Sequence, residues 1–113
     1  MEVVAKICEL PVEFKARGTV SIIQLVDESG YRSARAALTA DVVSAYLRQH
    51  PHLIDAWLAY SEDKRTSSGW YVTQRSGDSF EIGYYPNGER ISASGRVAAC
   101  AEFIVREVGS IAG

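Results

Sequence analysis

Between Tyr60 and Tyr71, in the stretch YSEDKRTSSGWY, the hydrophobic period of this chain changes from about 3.6 residues to about 2. Upstream, Leu53, Ile54, Trp57 and Leu58 share one face of a helix running from His52 to about Lys64. Downstream, Trp70, Val72 and Gln74 alternate with Tyr71, Thr73 and Arg75, and Phe80, Ile82 and Tyr84 alternate with Glu81, Gly83 and Tyr85. Ser76-Gly77-Asp78 and Pro86-Asn87-Gly88 supply two turns, and a short third strand follows around Arg90 to Ser92. Such a chain must pair helices with a three-stranded antiparallel meander that is apolar on one side.

The flanking sequence reads as helix. Residues 2 to 10 place Val3, Val4, Ile7 and Cys8 at helical spacing with Pro11 as a stop, although their β-branched content also suits a strand. Thr19 as N-cap opens a short helix carrying Ile22, Leu25, Val26 and Ser29, which Gly30 closes. Leu38 to Gln49 repeats the pattern with Thr39 as cap and Asp41 in the first turn, where the helix dipole favours a negative charge. Pro51 then separates this helix from the next, because it lacks an N–H and suits a helix start. At the C-terminus Val97, Cys100, Ala101, Ile104 and Val108 form one apolar stripe, with Arg96, Glu102, Arg106 and Glu107 elsewhere on the wheel. The order predicts a single α+β domain over residues 1–113, two layers deep, with helices packed on one face of a small three-stranded antiparallel meander and a C-terminal helix covering it.

Composition removes several classes of function. The 113 residues are 47% hydrophobic and 23% charged, enough for one core and unlike a disordered or fibrous chain. A net charge of -2 argues against nucleic-acid binding by counterion release, although Arg32, Arg35, Lys64, Arg65, Arg75 and Arg90 could converge on a local basic face. No apolar run reaches the ~18 residues of a membrane span, and acidic residues and a proline interrupt the place where a signal peptide needs its apolar stretch. Cys8 and Cys100 lack partners at metal-ligand spacing and read as free buried thiols, which predicts a cytoplasmic protein.

No catalytic constellation emerges. His50 and His52 are too close in sequence to share an ion from one helix face, so no metal is predicted and a helix-junction role is favoured. Adjacent carboxylates, Asp27 with Glu28 and Glu62 with Asp63, diverge around a helix by about a hundred degrees and cannot face one substrate. Neither phosphate-binding glycine spacing nor a hydrolase nucleophile elbow occurs, and no cofactor is implied. The chemistry concentrates instead at the helix-to-strand corner. Lys64 and Arg65 complement the carbonyl end of the helix, and Ser67 to Gly69 end it, which suffices for a structural role. The same residues also make a contact surface: Asp63, Lys64 and Arg65 beside Tyr71, supported by Trp70, combine both charge signs with aromatic area, as protein-binding hot spots do.

Leu53-Ile54, Trp57, Tyr60-Ser61-x-Asp63-Lys64-Arg65, Ser68-Gly69-Trp70-Tyr71 and Ala99-Cys100-Ala101-x-Phe103-Ile104 together resemble a family of small uncharacterised bacterial domains, over about residues 19 to 108. Some members of that family are similar to immunity proteins of polymorphic toxin systems. The resemblance implies a non-catalytic domain that binds a protein partner and blocks a toxin, without naming the partner. Two alternatives stand beside it. A small-ligand protein or enzyme needs a pocket at Tyr60, Trp70 and Tyr84, and a self-associating domain needs Tyr71, Thr73 and Tyr85 as a homodimer patch. The stripe itself is testable: Cys100→Asp is expected to destabilise the fold strongly, because a charge there cannot be solvated. A variant as stable as wild type in thermal melting would overturn the buried position of that thiol.

Overall fold

The computed structural model describes residues 2–64, 69–86 and 88–113, with Asp63 and Lys64 described only as part of the last turn of their helix. Along the chain come α1 (Glu2–Cys8), α2 (Leu10–Arg17), α3 (Ile22–Ser29), α4 (Tyr31–Ala34), a 3-10 turn (Arg35–Ala37), α5 (Ala40–Gln49), α6 (His52–Lys64), β1 (Gly69–Ser76), β2 (Ser79–Tyr85), β3 (Arg90–Ser94) and α7 (Arg96–Ala112). The sheet is an antiparallel meander in the order β1-β2-β3, so the architecture is α+β with a C-terminal helix, as the periodicity requires.

Local chemistry explains most boundaries. Thr39 accepts the Val42 N–H on its hydroxyl at 3.3 Å and starts α5, as its position suggests. Gly30 ends α3 at φ 83, a conformation that a side chain disfavours. Two expectations need correction. Pro11 begins a helix instead of stopping one, since in the first turn of α2 its missing N–H has no intrahelical acceptor to lose. Ser21, not Thr19, caps α3: its hydroxyl accepts the Gln24 N–H at 3.1 Å, whereas the Thr19 N–H turns back to the Arg17 carbonyl at 2.7 Å. The short α4 and the turn after it carry no periodic signal of their own.

Helix α7 lies at the centre. Its predicted stripe is buried at Cys100, Ala101, Ile104 and Val108, and a second stripe at Ala99, Phe103 and Glu107 is buried as well. One side of α7 packs on α5 and α3, and other parts of it meet α6 and all three strands. The helical part is therefore itself two deep, because an element apolar on more than one side must be covered on each. Glu107 is thus not on a solvated face; it accepts a hydrogen bond from the Tyr60 hydroxyl at 2.6 Å. Trp57 is fully buried among α1, α6 and α7, stands edge-on to Phe103, and donates its indole N–H to the Cys8 carbonyl at 2.8 Å. Burial pushes the thiols of Cys8 and Cys100 up to about 12, which makes both unreactive core groups.

The two edges of the sheet are treated differently. At β1 the buried Ser61 of α6 accepts the Val72 N–H at 2.9 Å and donates to the Val72 carbonyl at 3.1 Å, standing in for a neighbouring strand. Ser61→Ala leaves both backbone groups unpaired in a buried place, at a cost of about 1–3 kcal/mol. The expected result is a melting temperature lowered by several degrees together with faster hydrogen exchange at the Val72 amide. Unchanged exchange there would show that Ser61 does not hold the edge.

Candidate functional site

Period two divides the aromatic pair at the start of β1 between opposite faces of the sheet. Trp70 is half-buried on the helical side, edge-on to Tyr84 at 5.5 Å and with the Arg106 guanidinium 5.7 Å from its ring centre. Arg106 in turn pairs with Glu102 one turn earlier. Tyr71 lies on the outer face. Of the other residues at this corner, Asp63 and Lys64 fall in the last turn of α6, while their side chains and Arg65 lie outside the described residues.

The outer face is built by register. Tyr71 stands opposite Gly83 and Thr73 opposite Glu81, while Glu81 also faces Ser92 and Gly83 faces Arg90. A Cβ on Gly83 would lie 2.6 Å from the Tyr71 hydroxyl oxygen, so glycine is what allows the tyrosine ring to lie flat across β2. That posture brings the phenol to Glu81, to which it donates at 2.5 Å, while Arg75 reaches the other carboxylate oxygen at 2.9 Å. The hydrogen bonds from Tyr71 and then Arg75 hold the Glu81 carboxyl below its ordinary value. Partial burial, and then donation to Glu81, push the Tyr71 phenol up. Arg90 adds its charge to the same group and makes no ion pair of its own among the described residues. Tyr71, Thr73, Arg75, Glu81, Tyr85 and Arg90 together line an open recess of about 280 Å³. No described helix covers this face, since α6 and α7 lie on the other.

The expected site therefore meets the structure in part. Tyr71 is central, Trp70 supports it from behind, and the companions of Tyr71 come from β2 and β3 as well as from its own strand. Glu81 carries no motif signal, and Arg75 and Arg90 stand out in the sequence only as members of a possible basic face, of which the recess brings these two together; the alternation puts Arg75 and Glu81 with Tyr71 and Tyr85, and a glycine directly across from an aromatic is a readable signal. The contacts among the described residues do not join the three residues of the expected ligand pocket: Tyr60 groups with Trp57, Phe103 and Glu107, and Trp70 with Tyr84 and Arg106. Tyr60 borders instead an apolar groove of about 610 Å³ with Val12, Phe14, Ala56 and Ala59.

Elsewhere the polar groups serve structure. His50 stacks on Tyr46 with ring centres 4.2 Å apart and donates from Nδ1 to the Tyr46 carbonyl at 3.1 Å, closing α5 at the junction with α6. Asp27 pairs with Arg32, and Glu28 with Arg17, on divergent directions. Among the described residues no cluster of His, Cys, Asp and Glu could hold a metal ion, and no helix is long and apolar enough to cross a membrane. Comparison with family models, with curated proteins and with solved structures finds no match to this chain.

The pH behaviour of Glu81 follows from its partners. A carboxyl whose folded value is lowered contributes stability that is present above its ordinary value of 4.5 and is lost as pH falls through the folded value. Wild type is therefore expected to melt above Glu81→Gln at pH 7, with the difference shrinking as pH drops below 4.5. Melting curves of the two proteins between neutral and acid pH test this, and a gap independent of pH would show that the Tyr71 and Arg75 contacts do not act on the ionised form.

Proposed function

We propose that this chain is a non-catalytic protein-binding domain of the immunity type, an inhibitor of a bacterial toxin, and that its contact surface is the outer face of the meander. One observation carries the reading: a sheet face that no described helix covers presents Tyr71 and Tyr85 with Arg75 and Arg90 around a single carboxylate. Tyrosine and arginine are among the residues in which binding energy concentrates at interfaces, because tyrosine brings large area on two rotatable bonds and arginine a planar fork of directed donors. Tyr71 is preorganised by its bond to Glu81, which lowers the entropy lost when a partner lands on it. Asp63, Lys64 and Arg65 belong to the proposed surface on the sequence argument, since only Thr66, Ser67 and Ser68 separate them from β1 in the chain.

A second reading, self-association through Tyr71, Thr73 and Tyr85, draws on the 49% exposure of Tyr85. Light scattering across a concentration series separates the two, because only the second requires a dimer.

The inhibitor reading is tested with the protein encoded by a toxin-like reading frame beside this one. Calorimetric titration is expected to give a complex that Tyr85→Ala and Arg65→Ala each weaken by about tenfold or more, equivalent to about 1.4 kcal/mol. Both variants should melt within about two degrees of wild type, as surface substitutions do. Unchanged affinity would remove the face from the interface, and unfolding of Arg65→Ala would return the corner to a structural role.

A further inference from the structure

Among the described residues the second edge of the sheet has no counterpart of Ser61. The hydrogen-bond phase of β3 is fixed by the bond from the Tyr84 N–H to the Glu89 carbonyl at 2.9 Å and by the pairs Ile82 with Ile91 and Phe80 with Ala93. In an antiparallel ladder each residue turns both its backbone groups to the same side, and successive residues alternate. Glu89, Ile91 and Ala93 therefore face β2, and Arg90, Ser92 and Ser94 direct N–H and C=O away from the sheet. The Val72–Ser61 clasp confirms the phase independently, because Val72 is the partner of Ile82 and must point outward when Ile82 points to β3. Among the described residues nothing pairs with the backbone of Arg90, Ser92 or Ser94, and all three are exposed.

Two further features describe what fits there. On the helical side, Ile91 and Ala93 remain only partly covered, while their neighbours Phe80 and Ile82 on β2 are buried, so the apolar layer continues toward the open edge. On the outer side, Arg90 stands at the edge of a recess that holds two guanidiniums and one carboxylate, with that carboxylate already engaged by Tyr71 and Arg75. The recess thus carries a positive surplus on a protein whose net charge is -2.

We propose that the β3 edge accepts an extended acidic segment of a partner protein as a fourth strand. Its main chain pairs with Arg90, Ser92 and Ser94, its carboxylate meets Arg90, and its alternate apolar side chains extend the layer of Ile91 and Ala93. This is strand addition, in which main-chain bonds supply affinity and alternating side chains supply specificity. The inference rests on the protein-binding reading above and names the chemistry of the partner. A second copy of this chain fits less well: antiparallel pairing of β3 with itself about Ser92 sets Arg90 opposite Ser94, which leaves both arginines without an opposite charge.

The test uses labelled protein and two blocked synthetic pentapeptides of alternating valine and glutamate or alternating valine and lysine, read by amide shifts and hydrogen exchange. The acidic probe is expected to give saturable shifts and about tenfold slower exchange at Ser92 and Ser94, and the basic probe to bind about tenfold more weakly or not at all. Ser92→Pro removes one outward N–H at an edge that tolerates proline and should abolish the response. Should that variant fail to fold, an acidic probe methylated on alternate backbone nitrogens replaces it, and binding as tight as that of the parent peptide overturns the proposal. Equal response to both probes, no change at β3, or protection that rises with protein concentration alone would also overturn it. If Tyr85→Ala weakens the toxin complex and Ser92→Pro does not, the sheet-face reading stands and the edge reading falls; if neither does, both fall.

Discussion

Burial of α7 on more than one side is the constraint from which the rest of this structure follows. A helix with a stripe at Cys100, Ala101, Ile104 and Val108 and another at Ala99, Phe103 and Glu107 cannot satisfy both with one neighbour. The chain meets this by placing α5 and α3 against one side and α6 with the sheet against others. With α6 and α7 on the helical face of the meander, no described helix covers the opposite face. The outward placement of half-buried Tyr71 and exposed Tyr85 is thus a consequence of how the core is filled.

The charged groups inside and beside that core are placed by partners, not by sequence position. Glu107 is tolerated within the helix layer because the Tyr60 hydroxyl donates to it, and a buried carboxylate without a donor would be costly. Glu81 is held on the outer face by a phenol and a guanidinium, which fix its charge and at the same time fix the posture of Tyr71. The interaction is local, yet it depends on Gly83 of another strand leaving room for the ring.

The asymmetry of the sheet edges has the same origin. Ser61 reaches the β1 backbone because α6 packs beside that strand. Strand β3 is followed at once by the turn into α7, and its outward groups make no backbone hydrogen bond to a described element. Five residues is short for an exposed edge, and its polar Ser and Arg side chains limit indiscriminate pairing. A selective partner must therefore supply both the main-chain bonds and the charge.

What the sequence by itself determined here is what depends on neighbours along the chain. The change of period between Tyr60 and Tyr71, the cap at Thr39, the stop at Gly30 and the turns at Ser76-Gly77-Asp78 and Pro86-Asn87-Gly88 are written in spacing and in backbone preference, and so the α+β class and the outward set of Tyr71, Thr73 and Arg75 could be read directly. Where two local signals compete, as at Thr19 and Ser21 or on either side of Pro11, the reading failed, because both residues satisfy the local rule and only the packed chain selects one. Tertiary structure alone decided that Glu107 is buried, that Tyr60 groups with Phe103 and Trp70 with Tyr84, that Glu81 sits between Tyr71 and Arg75, and that Ser61 closes one sheet edge while no described residue pairs with the other. Each of these depends on register or on contact between elements far apart in sequence, and periodicity states which face a residue occupies without stating what that face will meet.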